Sequence, residues 1–426
     1  MSSQHRSDTE AFDVVIVGGG TVGCSLAIAL AQLSSRLSSP LRIGVIESHA
    51  YQSTQAHPGF DGRAIALARQ SIDYLSALGL QESIESVTQP IEHIQVSDRG
   101  YLGQCDLYAH DFQVDALGRV IELHDFGQVL HQAMQAPEVQ QCVTWFCPDS
   151  LQSVETRSES NVLTLASGTV ISTRLFCATD GGASGTRELL NVTPEVLDYD
   201  QVALIANVRT SLSHENRAFE RFTEQGPIAF LPMTDGRCSV VWTLAQGEEE
   251  PLLQASEADF ANALQKAFGY RLGKVTQVGV RAVYPLRLIH AKSDHLHRAV
   301  LLGNAAQTLH PIAGQGFNLG IRDVQDLVAC IESALKSQHD IGAYTVLSAF
   351  RQQRKQDAKT TIGATHGLVH LFSNDAVLNV IARNLGLAGM QFIPGMKQAF
   401  AQRAMGRRNT HIQSTIQSST TTGEAN

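Results

Sequence analysis

The sequence predicts an α/β fold in which glycine-rich strand–turn–helix units near both ends of the chain enclose a strand-rich insertion. Near the start, an apolar strand leads into three consecutive glycines and then into a helical apolar stretch through Leu30. Near the other end, the strand Val300–Gly303 precedes apolar residues at helical spacing through Leu335. Residues 87–117 and 202–243 lie between these units and have the composition of strands.

The composition is that of a folded protein without a strongly charged partner. Of 426 residues, 43% are apolar and 17% are charged, which excludes a disordered chain. The net charge of −9 disfavours a general nucleic-acid binder. Seven scattered cysteines favour a reducing compartment, and we find neither an apolar leader segment nor an apolar stretch of about 18 residues. We therefore expect a cytoplasmic protein.

The first unit carries a dinucleotide-binding pattern. Behind an apolar strand, the chain matches GxGxxG at Gly18, Gly20 and Gly23, and a second strand ends at Glu47. Gly18 permits a tight turn, Gly20 lets the backbone approach a pyrophosphate, and Gly23 lets helix and strand pack closely. Glu47 is placed to bind a ribose 2′-hydroxyl, although it follows Gly18 by 29 residues rather than the usual ~20. The pattern does not separate FAD from NAD.

Further elements follow from local patterns. We expect a helix over Ala64–Leu78 that ends at Gly79. The apolar runs Ile228–Leu231 and Cys238–Trp242 flank a turn containing Asp235-Gly236 and predict a β-hairpin.

Two regions leave alternatives open. Phe230, Met233 and Trp242 either border an apolar channel or pack in the core. Residues 344–408 have a helical pattern, and within them residues 377–408 combine apolar positions with cations. Such a tail suits a membrane surface, a partner protein or packing on the protein's own core.

Several segments carry a family resemblance beyond the first glycine motif. They are residues 57–67, 177–187, 217–223, 231–239, 302–320 and 369–372. In this order behind GxGxxG, the chain resembles class A FAD-dependent aromatic hydroxylases of the para-hydroxybenzoate hydroxylase fold. It is most similar to their ubiquinone-biosynthesis branch. The resemblance extends over nearly the whole chain, from about Asp13 to Arg407.

The resemblance implies a Rossmann-like FAD-binding domain, an inserted α+β substrate domain and a helical C-terminal tail. The expected divisions are a discontinuous FAD-binding domain (1–86, 118–195 and 295–343), a substrate domain (87–117 and 196–294), C-terminal helices (344–410) and a disordered end (411–426).

The resemblance also implies an activity. FAD would be reduced by NAD(P)H, react with O₂ and hold a peroxide at C4a, and a polyprenylated methoxyphenol would be hydroxylated para to its hydroxyl in ubiquinone biosynthesis. No metal is expected, and membrane contact would be peripheral at most, at the inner face. Other ubiquinone-biosynthesis proteins are possible partners. The alternatives are a hydroxylase acting at another ring carbon, an oxidase or reductase that inserts no oxygen, and an idle FAD-binding subunit.

The resemblance assigns cofactor roles along the first half of the chain. Gly18, Gly20, Gly23 and Glu47 would hold the ADP half of FAD. Arg63 would lie along the pyrophosphate or flavin, where a planar cation suits phosphate, unless it is an ordinary surface arginine.

A second motif, Asp180-Gly181, would bridge FAD and NAD(P)H. Asp180 would hold Arg63 or a donor beside the flavin, and Arg187 would meet nicotinamide phosphates. The plain alternative is a turn at a strand end.

The third glycine-rich segment would enclose the flavin. Asn304 stands where the wider class has an aspartate that contacts the ribityl or ribose, and Gln307 stands where it has histidine. A helix begins within Gly314-Gln315-Gly316-Phe317-Asn318 and would face the flavin pyrimidine edge, or these residues simply cap the helix. Pro311 would form the wall beside the ring. His310 is either a base for the phenol proton or a packed or solvent-facing histidine.

Overall fold

The chain folds around three β-sheets, and the computed structural model describes residues 9–51, 63–101, 103–292, 296–308, 315–355, 389 and 393–407. The strands are β1 Glu10–Val17, β2 Ile43–Ile46, β3 Ala64–Ala68, β4 Gln89–Ile91, β5 His93–Asp98, β6 Gln104–Tyr108, β7 Gly118–Glu122, β8 Val143–Phe146, β9 Leu151–Thr156, β10 Asn161–Leu165, β11 Val170–Ala178, β12 Pro194–Thr210, β13 Arg217–Thr223, β14 Gly226–Pro232, β15 Arg237–Ala245, β16 Val275–Ala291, β17 Ala299–Leu301 and β18 Gln307–Thr308. The helices are α1 Thr21–Ser34, α2 Arg69–Leu75, α3 Gln81–Val87, α4 Leu123–Met134, α5 Pro137–Gln140, α6 Gly185–Leu189, α7 Glu250–Gln254, α8 Glu257–Phe268, α9 Gln315–Lys336, α10 344–355 and α11 Pro394–Ala404.

The first sheet places the glycine-rich turns. Its order is β8-β2-β1-β11-β10-β9, and β17 also pairs with the end of β11. The strands β8, β2, β1, β11 and β17 run parallel. Val14, Val15 and Ile16 are fully buried because helices α1, α4 and α9 cover one face and a second core covers the other. A continuous apolar run is typical of a parallel strand that is buried on both faces.

The second sheet has eight strands in the order β18-β16-β12-β15-β14-β13-β5-β6. One of its faces packs on α8 through Phe260, Leu264 and Phe268. The predicted hairpin is confirmed, since β14 pairs with β15 in a register that sets Ile228 opposite Trp242.

A third, small sheet corrects one prediction. Its order is β3-β7-β4, so Ala64–Ala68 is a strand rather than the start of the predicted helix. Small apolar residues fit either structure, and pairing with β7 overrides the local helical preference. Helix α2 follows directly, and Gly79 takes φ +78° where the helical run was expected to end.

The division into domains stays a prediction. Two sheets cross its expected boundaries, because β4 joins β7 and β18 joins β16. The small sheet and the β16–β18 pairing therefore connect the two sets of expected ranges.

The described part of the C-terminal tail packs on the protein itself. Ala401 and Met405 are fully buried in a cluster with Val96 and Phe222. Packing on the protein's own core is thus the alternative that holds for α11. Within the predicted amphipathic region, residues 377–388, 390–392 and 408 lie outside the described residues, as does the predicted disordered end. None of the helices in the described ranges is long and apolar enough to cross a membrane.

Candidate functional site

The turn between β1 and α1 is packed tightly against the end of β11. Gly18 has φ +104°, and a Cβ atom there would lie 2.8 Å from backbone atoms of Thr179 and Asp180. A Cβ on Gly23 would lie 1.9 Å from the Gly18 carbonyl oxygen. The Thr179 hydroxyl donates to the carbonyl oxygens of Val17 and Gly18, at 2.9 and 2.8 Å. Gly18 and Gly23 are therefore required by packing within the protein.

Gly20 differs from its two neighbours in the motif. No atom of the described residues lies within 4 Å of the position that a Cβ on Gly20 would take. Gly20 is also the N-cap of α1, and no described side chain caps this helix end. The first N–H groups of α1 and the positive end of its dipole are thus available to an anion.

Glu47 lies beside this helix end. It is 8% exposed, and its Oε2 accepts a 2.6 Å hydrogen bond from the Gly19 N–H. Its Oε1 accepts from the His49 N–H at 2.8 Å. The predicted acid at the end of β2 is therefore held next to the glycine turn by main-chain donors.

An aromatic set borders the same turn and was missed from the sequence. The rings of Tyr51 and His131 stack with centroids 3.9 Å apart, and His131 stacks on Trp145 at 6.0 Å. Trp145 lies against Gly19, where a Cβ would be 2.9 Å from its ring. These residues come from three separate segments, so no local pattern indicated their meeting.

The second motif forms a turn at the end of β11. Both oxygens of the Asp180 carboxylate are engaged there: Oδ1 accepts from the Ser184 hydroxyl at 2.5 Å and Oδ2 from the Thr186 N–H at 3.0 Å. Gly181 has φ +84°, and a Cβ on it would meet none of the described residues within 4 Å. The predicted interaction between Asp180 and Arg63 stays a prediction.

Arg63 lies just before β3 and faces the second sheet. Its guanidinium is 4.8 Å from the ring centroid of Tyr284 in β16, a cation–π contact. Its carbonyl oxygen accepts from the Leu123 N–H at 2.8 Å. Arg63 therefore stands where the small sheet meets the eight-stranded sheet.

The third motif begins with a turn after β17. Gly303 has φ +55°, and its N–H donates to Oδ2 of Asp323 at 3.0 Å. The other oxygen of Asp323 accepts from Arg354 Nε at 2.9 Å, and both side chains are buried. Sequence reasoning missed this buried ion pair, which ties the turn to α9 and α10. The side chain of Asn304 is exposed at the turn.

A family model described as FAD binding domain matches residues 11–364. The chain belongs to this family. Ubiquinone hydroxylase UbiL of Rhodospirillum rubrum is 33% identical over 398 residues, covering 92% of this chain and 89% of that protein. The 3-demethoxyubiquinol 3-hydroxylase of Escherichia coli is 29% identical over 396 residues, covering 92% and 98%. The predicted family resemblance is confirmed.

Solved structures show the same fold. The p-nitrophenol 4-monooxygenase PnpA of Pseudomonas putida superposes with a TM-score of 0.74 at 16% identity, covering 94% of this chain and all of that one. Klebsiella pneumoniae HpxO, solved with FAD and uric acid, gives a TM-score of 0.69 at 15% identity, covering 90% and 95%. The predicted α/β fold with its helical C-terminal region is confirmed. The chain is an FAD-dependent monooxygenase.

The residues of the first motif fit FAD. The helix end at Gly20 offers uncapped N–H groups and open space, and the Glu47 carboxylate lies beside it. The N–H donors and the open space suit a pyrophosphate, and the carboxylate acceptor suits the neighbouring ribose. FAD is the cofactor of the family, and NAD(P)H is its typical reductant.

Two residues with predicted ligand roles make buried contacts within the protein. Arg187 is 6% exposed and donates to the carbonyl oxygens of Gly182, Asn304 and, at 3.1 Å, Ala305. From its buried position Arg187 connects the second and third motifs. Its guanidinium is engaged by these carbonyl oxygens, whereas the predicted partners were nicotinamide phosphates.

The side chain of Asn318 also makes hydrogen bonds within the protein. It is 1% exposed, its Oδ1 accepts from the Ala68 N–H and the Ser71 hydroxyl at 2.8 Å, and its Nδ2 donates to Ala66. The side chain joins the start of α9 to β3, and the predicted cofactor-binding role of Asn318 stays a prediction.

The remaining residues of the third motif divide into two groups. Phe317 packs edge-on against Phe126, with centroids 5.5 Å apart, and a Cβ on Gly316 would find no described atom within 4 Å. Gln315 begins α9. The other three candidates, His310, Pro311 and Gly314, lie outside the described residues, and their predicted roles stay predictions.

The apolar side chains proposed for a channel belong to the core. Phe230 stacks on Phe268 at 3.9 Å, and Trp242 meets Phe260 at 6.3 Å, so both face α8. Met233 is 2% exposed and packs in a cluster near Ile91. Core packing is therefore the alternative that holds for all three.

No group of three or more His, Cys, Asp or Glu side chains within the described ranges is arranged to hold a metal ion.

Proposed function

We propose that this monooxygenase hydroxylates a polyprenylated methoxyphenol para to its hydroxyl in ubiquinone biosynthesis, with NAD(P)H as reductant. Relatives named as ubiquinone-pathway hydroxylases support the pathway. The observation that carries the proposal is an apolar, half-buried face of the eight-stranded sheet. Its residues are Ile205, Ala229, Leu231, Val241 and Ala282.

This apolar face is suited to a hydrophobic aromatic substrate. The opposite face of the same strands is fully buried on α8, whereas these five side chains are only partly buried by the described residues. Strand alternation sets Tyr284 on the same face as Ala282, and Tyr284 contacts Arg63. Arg63, a predicted FAD-binding residue, thus lies against this face, so that a phenol bound here would come near the cofactor and be shielded from water.

The residues would divide the work between binding and positioning. FAD, when bound, supplies the redox and oxygen chemistry. The α1 N-terminus at Gly20 binds the pyrophosphate and Glu47 the ribose. Asn304 and the start of α9 would contact the isoalloxazine end of FAD. Arg187 and the Asp323–Arg354 pair stabilise the turns of the second and third motifs through hydrogen bonds to their main chain.

The proposal is tested with purified protein loaded with FAD. Prenylated phenols are offered one at a time: a 2-prenyl-6-methoxyphenol, its ring isomers and the later intermediate that already carries the para hydroxyl. We expect the 2-prenyl-6-methoxyphenol to accelerate NAD(P)H oxidation and to be recovered with a para hydroxyl. Hydroxylation of another substrate or at another carbon would assign the chain to a sister reaction instead. Oxidation of NAD(P)H without a hydroxylated product from any phenol would refute both.

A further inference from the structure

One row of residues crosses the half-buried face of the eight-stranded sheet. Strand register places its members side by side, each opposite the next: Ala282, Ile205, Val241, Ala229, Glu220 and Val96. Five of the six are apolar, and all except Val96 are half-buried. We call this set the substrate-side row. Glu220 is its single ionisable member.

The surroundings of Glu220 are apolar in each direction along the sheet. Ala218 and Phe222 flank it on the same face of β13, and both are buried. Val96 lies opposite it on β5 and Ala229 on β14. In the described part of the chain its carboxyl makes no hydrogen bond or ion pair. Burial raises the pKa of Glu220 to about 7.

No charged group of the described residues pairs with Glu220. Arg221, the next residue of β13, points to the opposite face of the strand, and its Nε and Nη1 have no hydrogen-bond partner among the described residues. On α11, Lys397 pairs with Asp111 at 2.8 Å. On β15, Arg237 pairs with Glu122 at 2.8 Å. Arg63 lies over Tyr284, and Asp98 of β5 lies beside Phe222, one position further along the face. Burial is accordingly the cause of the raised pKa of Glu220.

A purely structural role does not account for this carboxyl. Burying an acid without a partner destabilises a fold, and an apolar residue or an amide would fill the same place with less penalty. A carboxyl that titrates near neutral pH among apolar side chains, on the sheet face proposed to bind the phenol, has the property expected of a general base.

We propose that Glu220 accepts the proton of the substrate's phenol hydroxyl. In this step the phenol O–H bond breaks, a new O–H bond forms on a carboxylate oxygen of Glu220, and the electron pair stays on the phenol oxygen. No electron is gained or lost. The phenolate pushes electron density onto its ortho and para carbons, which makes the para carbon a better nucleophile toward oxygen. The inference rests on the proposed function, since it requires a phenol as substrate.

The main test is the pH dependence of the holoenzyme. Glu220 must be ionised to accept a proton, so we expect wild-type kcat to fall as the pH drops below about 7. In Glu220→Gln, kcat at pH 7.5 should fall by about 100-fold, the KM for the phenol should change by less than about threefold, and the acidic limb should vanish. Glu220→Asp keeps a carboxyl and should regain part of the rate.

A matched control lies four residues away. Glu224 is exposed in the turn between β13 and β14, and Glu224→Gln should keep the wild-type rate and pH profile. A second readout needs no turnover. The folded protein keeps the Glu220 proton that the unfolded chain releases between pH 4.5 and about 7. The urea midpoint of Glu220→Gln relative to wild type should therefore be higher at pH 8 than at pH 5.

The outcomes separate this inference from the proposed function. If no phenol is hydroxylated by the wild-type enzyme, the proposed function fails. If phenols are hydroxylated and Glu220→Gln keeps the wild-type kcat and pH profile, the role of Glu220 is overturned. A wild-type kcat that is constant from pH 5.5 to 8 overturns it as well, even where the glutamine variant does not fold.

Discussion

Two glycines of the first motif, three residues apart, should respond oppositely to the same substitution. In Gly23→Ala the new Cβ would lie 1.9 Å from the Gly18 carbonyl oxygen and 2.8 Å from the Thr179 hydroxyl. Alanine inside a helix is normally favoured over glycine by about 0.5–1 kcal/mol. Overpacking costs about 1–3 kcal/mol, and the upper end applies here because the crowded atom belongs to the backbone. The net loss of stability is about 2 kcal/mol, or about 30-fold in the unfolding equilibrium.

In Gly20→Ala the new Cβ meets none of the described residues within 4 Å. The weaker N-cap should lower stability by less than about 1 kcal/mol. The methyl group nevertheless projects where a pyrophosphate would approach the N–H groups of α1, so FAD affinity should fall by about tenfold or more, which is about 1.4 kcal/mol.

Urea unfolding of the apoproteins and fluorescence titration with FAD measure the two effects separately. Gly23→Ala should unfold at lower urea, and Gly20→Ala should unfold near the wild-type midpoint while binding FAD weakly. A Gly23→Ala protein as stable as wild type would refute the requirement for glycine at that packed position. A Gly20→Ala protein that binds FAD with the wild-type Kd would refute the pyrophosphate's approach at Gly20.

Three further variants test the supports behind the turns. Arg187→Met removes charged hydrogen bonds to buried carbonyls and should destabilise the apoprotein by about 2–3 kcal/mol in urea; the KM for NAD(P)H should stay within about twofold, and a large rise would restore the phosphate role. Asp323→Asn leaves the buried Arg354 unpaired and should cost about 3–5 kcal/mol by the same measurement, and an unchanged midpoint would contradict the ion pair's importance. Asn318→Ala strands the Ser71 hydroxyl and a main-chain donor and should cost about 1–3 kcal/mol; wild-type stability in thermal unfolding would show that the lock between α9 and β3 does not matter.

Local patterns predicted the parts of the site that depend on local geometry. Gly18, Gly20, Gly23 and Glu47 lie together as the strand–turn–helix pattern requires, because each is fixed by its own turn or strand end. The hairpin of β14 and β15 was predictable for the same reason.

Contacts between distant segments were not predictable from the chain alone. Ala64–Ala68 has a helical pattern locally, yet it pairs with β7 about 55 residues later. Arg187 and Asn318 lie in motifs that suggest ligand contact, but burial turns both side chains toward the protein's own backbone. Glu220 belongs to an ordinary alternating strand, and only the pairing of six strands sets its carboxyl in an apolar row.

The hydroxylation itself is tested most directly by following the oxygen atom. The FAD-loaded enzyme is given ¹⁸O₂, NAD(P)H and the 2-prenyl-6-methoxyphenol. Mass spectrometry then measures the ¹⁸O content of the recovered product, and NMR assigns the ring position of the new hydroxyl. We expect one ¹⁸O atom in each product molecule, para to the original hydroxyl, with one NAD(P)H consumed for each. Consumption of NAD(P)H that yields hydrogen peroxide and leaves the phenol unlabelled would contradict the proposed hydroxylation.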